Sequence, residues 1–178
     1  KLMPQFLRNP IVDGVPVESE NKIEGFTVVG ADNWYDIENQ TVNYFRQASV
    51  EDTIPVRNVR SVGNNYTVFA TETFIDEVSQ EIGVDPMAFR LNYLNGVGIN
   101  AGSNTPASYG GGKRLANVLK IASGLANYGL ENLGEYEGLG IAITGAENRW
   151  APCFLALVAK VKVDKNSAAI DVQKLICV

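Results

Sequence analysis

An arginine-bearing loop in the first half of the chain carries the residue types that suit an anionic ligand. It runs from Val56 to Asn65, contains Arg57 and Arg60, and leads directly into a segment with helical spacing. The start of a helix after a glycine offers unpaired backbone N–H groups and the positive end of the helix dipole, and guanidinium groups add charge. The loop is therefore a candidate site for phosphate or another oxyanion. Judged on local sequence alone, an ordinary surface turn with solvated arginines is the stronger interpretation.

The composition excludes several other kinds of chemistry. The 178 residues contain no histidine, which rules out Ser-His nucleophilic catalysis and His-ligated zinc from within this chain. Two cysteines, Cys153 and Cys177, cannot form a four-thiolate metal cage, so the sequence predicts no metal site. Both lie in apolar runs, and we expect buried, reduced thiols.

Charge and hydropathy argue against two classes of partner. The formal net charge is −5, and the sequence contains no basic stripe of the kind that binds nucleic acid. No apolar stretch approaches the roughly 20 residues that a membrane helix needs. The sequence thus predicts neither a nucleic-acid partner nor a membrane partner, and slightly favours a cytoplasmic over a periplasmic location.

Apolar spacing predicts three helices after the arginine loop. The first covers Tyr66–Ile82 and would place its apolar residues, Phe69 and Phe74 among them, against the core. Gly83 should end this helix, and Asp85 and Pro86 have the types typical of a helix start. A third helix is predicted from Leu115 to about Tyr128. Four acidic residues of the first helix are expected on a solvated face: Glu72, Asp76, Glu77 and Glu81.

The last part of the chain has the alternation of β-strands. Residues 139–143, 154–163 and 170–178 predict three strands, with a turn at 164–167. The last strand should return antiparallel and place Cys177 opposite or nearly opposite Cys153. The expected fold class is α+β, with a mixed or antiparallel sheet and covering helices. Residues 1–178 are interpreted as one domain or part of one, in which 1–50 form an extended lead-in with short strands and 51–178 the core.

Several stretches in this order resemble the large, molybdopterin-binding subunit of the xanthine oxidase and aldehyde oxidase family, and most closely its isoquinoline 1-oxidoreductase beta-subunit type. The resemblance begins near Ile54, and the first 50 residues match only loosely. No single stretch is specific; their order and spacing carry the likeness. The stretches are Arg60–Gly63, Phe69–Glu77, Gly83–Pro86 with Phe89–Leu91, Gly138–Ala142 and Val158–Asp164.

The resemblance implies an oxidoreductase and its cofactors. Members of this family hydroxylate aldehydes or N-heterocycles with oxygen from water, and pass electrons from molybdenum through iron–sulfur clusters to an acceptor. It implies a molybdopterin cofactor, in the cytosine dinucleotide form, in the complete protein. The implied partners are the remainder of the large subunit and a small [2Fe-2S] subunit.

The resemblance also implies roles for particular residues. Arg60 would contact the cofactor or steady its loop, and Ser61, Val62 and Gly63 would place backbone near the molybdenum. The position of Val62 often holds an aromatic residue that walls the substrate site in relatives, and the valine departs from that pattern. A second segment, Glu147, Asn148, Arg149 and Trp150, would face the substrate channel. The alternative is a Trp150 in the core and a Glu147 paired with Arg149 at the surface.

The family's catalytic base is a glutamate near its C-terminus, and no residue of this chain matches it. The resemblance therefore implies a part of a molybdenum hydroxylase that forms cofactor and pocket walls and is inactive when isolated. The alternative is a stand-alone binding or structural module with the same fold and no metal chemistry.

Overall fold

The structure is a computed structural model that describes residues 11–12, 15–16, 29–31, 33–43, 60–61, 63–95, 111–148 and 151–178. Two short strands, β1 (Ile11–Val12) and β2 (Val15–Pro16), pair antiparallel. The larger elements are α1 (Asn64–Glu81), α2 (Pro86–Asn92), α3 (Gly111–Ala126), β3 (Glu137–Asn148), β4 (Ala151–Val163) and β5 (Ile170–Cys177). The fold class is α+β, as predicted.

A three-stranded antiparallel sheet with the order β3-β4-β5 forms the second half of the fold. Ile143 lies opposite Ala156, and Val158 lies opposite Ile176, so the register matches the alternation seen in the sequence. Asp164 Oδ1 accepts hydrogen bonds from the backbone N–H groups of Asn166 and Ser167, at 3.0 and 2.7 Å, and thereby fixes the turn between β4 and β5. The predicted strands and turn are confirmed.

Helix α3 covers one side of this sheet, which we call the inner face. Its buried residues recur at helical spacing, and those of the strands alternate, so the two apolar surfaces meet. Trp34 and Tyr35, from the segment 33–43, complete this core at one end. The core residues of helix and sheet are Leu115, Leu119, Ala122, Ala126, Ile141, Ile143, Ala156 and Val158.

The connection between α1 and α2 follows the predicted signals. Gly83 adopts a φ of +67°, which favours glycine after a helix end. Asp85 is the N-cap of α2, and its Oδ1 accepts a hydrogen bond from the backbone N–H of Ala88 at 2.9 Å. Pro86 occupies the first helical position, where its missing N–H is not needed.

The orientation predicted for α1 was wrong. Phe69 and Phe74 are 72% and 63% exposed, whereas Glu72, predicted to be solvated, is only 6% exposed. The buried side of α1 is Glu72, Ile75 and Ser79, which follow each other at helical spacing. Helical periodicity identified the element but not its face, because the face is set by polar partners distant in sequence.

Those partners meet at the buried guanidinium of Arg90. Its Nε donates to Glu72 Oε2 at 3.0 Å, and its two terminal nitrogens donate to Asp76 Oδ1 at 2.6 Å and to the Glu72 carbonyl at 3.1 Å. The Glu72 carboxylate also accepts from Tyr35 Oη at 2.8 Å and from the backbone N–H of Ile143 at 2.9 Å. One buried ion pair thus joins α1, α2, β3 and the segment 33–43.

The cysteines also differ from expectation. Cys153 and Cys177 are both exposed and free, not buried. Cys177 pairs with Leu157 and Cys153 with Ala146, so the two thiols lie on neighbouring strands but are not opposite each other. The apolar runs that suggested burial are strands, in which successive side chains point to opposite faces of the sheet. Both cysteines point away from the inner face.

Removing Arg90 should destabilise the protein strongly. Arg90→Met leaves the Glu72 carboxylate buried without its cationic partner, and we expect a loss of about 3–5 kcal/mol in the free energy of unfolding. Glu77→Gln, a change at an exposed position of the same helix, should stay within about 0.5 kcal/mol of the parent. Denaturant unfolding curves measure both, and equal losses would refute a structural role for the pair.

Candidate functional site

The described part of the predicted anion loop, Arg60, Ser61 and residues 63–65, forms a turn at the start of α1, while residues 56–59, Arg57 among them, lie outside the described residues. Ser61 adopts a φ of +73°, and its carbonyl accepts from the backbone N–H of Asn64 at 3.0 Å. The Gly63 carbonyl accepts from the backbone N–H groups of Tyr66 and Thr67 at 3.2 and 3.0 Å. Several N–H groups at the helix start therefore already donate hydrogen bonds within the turn. Fewer N–H groups remain for a ligand than at a helix start without such bonds.

Charge at this turn remains favourable to an anion. Arg60 is exposed, and its carbonyl accepts from Asn65 Nδ2. The first turn of α1 contains no acidic residue, so the positive end of the helix dipole is not neutralised there. Ser61 is exposed and Gly63 is buried, while Val62 lies outside the described residues. The exposed guanidinium of Arg60 and the exposed Ser61 suit a phosphate-bearing or carboxylate-bearing group.

A second loop approaches this turn very closely. Thr67 Oγ1 donates to the Val29 carbonyl at 2.8 Å and contacts the Gly63 carbonyl at 2.9 Å. A Cβ added at Gly30, whose φ is +85°, would lie 2.4 Å from Asn64 Oδ1 and 2.6 Å from Thr67 Oγ1. Asn64 Oδ1 is buried and has no hydrogen-bond partner among the described residues. That acceptor is an available partner for a donor group of a ligand.

The second predicted site lies at the end of β3. Glu147 and Asn148 are strand residues that pair with Pro152 and Ala151, so β3 includes the first two residues of this segment. Arg149 and Trp150 lie outside the described residues. The alternative predictions for these side chains, substrate contact or core and surface pairing, stay predictions.

A small cavity lies between these two regions. It is bordered by Gly30 at the α1 end and by Gly145 at the β3 end, with Tyr35 and Glu72 along its side. Trp34 Nε1 donates to the Gly145 carbonyl at 3.0 Å, and its ring packs edge-on against Phe154 with centroids 5.1 Å apart. The segment that begins at Gly30 therefore connects the helix start to the strand that leads to Glu147.

Glu72 lines the cavity, yet its bonding favours a structural role. Burial raises the pKa of the Glu72 carboxyl above its ordinary range, while Arg90, the Ile143 N–H and Tyr35 oppose that rise. Burial, reinforced by the Glu72 charge, also raises the pKa of Tyr35, which keeps its hydroxyl a neutral donor. Both carboxylate oxygens already accept hydrogen bonds from the protein, so neither is placed to take a proton from a substrate.

Sequence reasoning missed Trp34, Tyr35 and Arg90 as residues that build this region. The signal for Arg90 was its place in a helix beside apolar residues, where an arginine needs an acidic partner to be buried. Within the described ranges, no group of three His, Cys, Asp or Glu side chains could hold a metal ion. Nor does any helix of the described part have the length and hydropathy to cross a membrane.

Two comparisons with known proteins bear on this geometry. Residues 14–94 match the sequence profile of the molybdopterin cofactor-binding domain. The match begins well before Ile54 and includes both Gly30 and the Arg60–Gly63 turn. The chain is also 34% identical, over 164 residues, to a protein of Gluconacetobacter polyoxogenes named membrane-bound aldehyde dehydrogenase [pyrroloquinoline-quinone]. That alignment covers 92% of this chain but 20% of the relative.

The comparisons support the family resemblance in its coarse form. A molybdopterin-binding domain and an aldehyde-oxidising relative both agree with it. They do not distinguish the isoquinoline oxidoreductase type. They also name different cofactors, since the relative carries pyrroloquinoline quinone in its name and the domain profile specifies molybdopterin.

Gly30 should be needed for the close approach of the two loops. Gly30→Ala would strain the left-handed backbone and press a methyl group on Asn64 Oδ1 and on Thr67 Oγ1, which donates to the Val29 carbonyl. Gly83→Ala is a matched control, because Gly83 also has a positive φ of +67° but no atom within 4 Å of the added Cβ. We expect Gly83→Ala to lower unfolding free energy by about 1–2 kcal/mol and Gly30→Ala by about 1–3 kcal/mol more. Equal losses in denaturant unfolding would contradict the steric contact.

Proposed function

We infer that this chain is part of a molybdopterin-dependent oxidoreductase of the xanthine oxidase and aldehyde oxidase family, in which it forms walls of the cofactor and substrate site. The observation that carries this inference is the match of residues 14–94 to the molybdopterin cofactor-binding domain. That range contains the turn at Arg60–Gly63, whose charge suits an anionic cofactor. The aldehyde dehydrogenase relative agrees with an oxidoreductase that acts on carbonyl substrates.

Arg60, Ser61 and Gly63 would hold the cofactor. The guanidinium of Arg60 would pair with an anionic oxygen, and the Ser61 hydroxyl would donate a hydrogen bond. Gly63, which is buried, would shape the turn behind them. Gly30 supports this turn from the other side through its contact with Asn64 and Thr67. When bound, the molybdenum cofactor would supply the two-electron oxidation and the oxygen transfer to the substrate.

The substrate would lie on the side of the cavity that leads to the end of β3. There we propose that Glu147, Asn148, Arg149 and Trp150 line the entrance, with Trp150 stacked on a flat substrate. Val62 would leave more space for the substrate than an aromatic residue at the same position. Trp34 fixes this strand end through its bond to Gly145.

The catalytic base would come from sequence beyond these residues. Among the acidic side chains of α1, Glu72 is fully bonded within the protein and Asp76 is paired with Arg90. Glu77 and Glu81 are exposed on the far side of the helix. This chain would therefore bind and orient, while another part of the longer protein removes the proton.

The resemblance extends the proposal to finer features. The isoquinoline 1-oxidoreductase type, a cytosine dinucleotide form of molybdopterin and a small [2Fe-2S] partner subunit all follow from it. The chain spans 20% of the length of the relative named above, so the activity of the whole protein rests on the remaining sequence.

A second candidate is a dehydrogenase whose cofactor is pyrroloquinoline quinone, which the name of the relative favours. This quinone also carries carboxylates, so the cationic turn alone does not separate it from a pterin. A stand-alone module without metal chemistry remains the alternative of another class. Cofactor content distinguishes all three.

Arg60→Ala in the longer protein should lower cofactor occupancy. The change removes the exposed cation from a helix start without acidic residues, and we expect pterin and molybdenum content to fall together. Lys120→Ala, an exposed cation on α3, is the matched control and should leave both unchanged. Elemental analysis and fluorescence of the oxidised pterin measure the outcome, and unchanged content in Arg60→Ala would remove this residue from the site.

The isolated 178 residues should show no oxidoreductase activity, even with added cofactor. The longer protein, by contrast, should release a pterin and not pyrroloquinoline quinone when its cofactor is extracted and identified by mass spectrometry. Recovery of the quinone would favour the second candidate. Turnover by the isolated chain would contradict the proposal that the base lies elsewhere.

A further inference from the structure

The side of the sheet opposite α3, which we call the outer face, is apolar along all three strands. The register assigns alternate residues to it, because side chains alternate between the two faces of a strand. Cross-strand neighbours such as Gly140, Ala159 and Leu175 define its rows. The outer face consists of Gly138, Gly140, Ala142, Thr144, Cys153, Leu155, Leu157, Ala159, Val161, Val163, Ile170, Val172, Leu175 and Cys177.

Charged residues of these strands avoid this face. Lys160 pairs across the strands with Lys174, and Lys162 pairs with Asp171, and all four belong to the rows of the inner face. Lys160 forms ion pairs there with Glu131 at 2.7 Å and Glu137 at 3.1 Å. A sheet with one free face normally turns its charged side chains to water. In the rows that contain Lys160 and Lys162, by contrast, the charged side chains belong to the inner face and the apolar ones to the outer face.

The apolar side chains that β5 contributes to the outer face are exposed, whereas Leu155 and Leu157 of β4 are half-buried. Ile170, Val172 and Leu175 on β5 are 68%, 53% and 60% exposed, and both cysteines are exposed as well. On β3 the space above the outer face is open, since a Cβ added at Gly140 would meet no atom within 4 Å. β5 is also an edge strand and carries these apolar residues at that edge. Apolar patches of this extent mark contact surfaces in soluble proteins.

We propose that the outer face is covered by a second apolar layer of the same longer polypeptide, supplied by residues beyond these 178. The relative that matches nearly all of this chain supports this occupant by its length, since the matched stretch of 164 residues is 20% of it. A sheet needs a layer on each apolar face, and this chain provides α3 for the inner one. The inference rests on the proposed function only in that the chain belongs to a longer protein.

The native cysteines report on this cover. In the folded longer protein, alkylation of Cys153 and Cys177 by a maleimide should be at least about tenfold slower than in the denatured protein, because a covered thiol reacts only when the layer opens. Peptide-level mass spectrometry quantifies each site. Labelling of both thiols at the denatured rate would overturn the proposal. Cofactor content of the same preparation reports separately on the proposed function.

A charged side chain on the outer face should destabilise the contact with the covering layer. Leu175→Asp would place a carboxylate beneath the second layer, and we expect a lower melting temperature and faster labelling of Cys177. Gln173→Asp, at the bulge between paired residues 172 and 174, is the matched control and should change neither. Equal behaviour of the two variants would show that the face is open to water and refute the cover.

The identity of the cover is tested by a photo-crosslinker. With benzoylphenylalanine at position 172 of the longer protein, illumination should join the sheet to a peptide outside residues 1–178 of the same molecule. Crosslinked dimers would instead assign the face to a second copy. A crosslink within the 178 residues would assign it to this chain's own segments. Either result would overturn the proposed occupant.

Discussion

The buried ion pair between Arg90 and Glu72 is the interaction on which the rest of the fold depends. An unpaired charge in a protein interior is very unfavourable, so each group fixes the position of the other. Through Glu72 the pair holds Tyr35 and the Ile143 backbone, and through Arg90 it holds Asp76. Helix α1 is thereby held against β3, and α2 is held against α1. The ion pair therefore also determines where the start of α1 lies, which is where the cofactor is proposed to bind.

This constraint explains why sequence predicted the elements better than their arrangement. Gly83, Asp85 and Pro86 act within a few residues of their own position, so local rules identified the two helix ends. The strands were identified for the same reason, since alternation is a local pattern. Glu72 was misjudged because its partners lie 18 and 71 residues away along the chain. No local pattern distinguishes a buried carboxylate from a solvated one.

The exposed aromatic residues of α1 and the apolar outer face were missed for a related reason. Phe69 and Phe74 have helical spacing that suits a core, yet the buried ion pair turns a different side of α1 inward. The candidate cofactor turn could be proposed from its arginine and glycine. Its support by Gly30 could not, because that contact depends on a left-handed backbone that brings two distant segments together. Binding residues of the second site remain predictions.

The central claim is that the turn at Arg60–Gly63 contacts a molybdopterin cofactor in the longer protein. The most direct measurement is an experimental structure of that protein with its cofactor bound, with the metal located by anomalous scattering at the molybdenum edge. We expect pterin density within hydrogen-bond distance of Arg60 or of the backbone at Ser61 and Gly63. Density for a quinone at this turn, or a molybdenum cofactor bound with no contact to it, would contradict the claim.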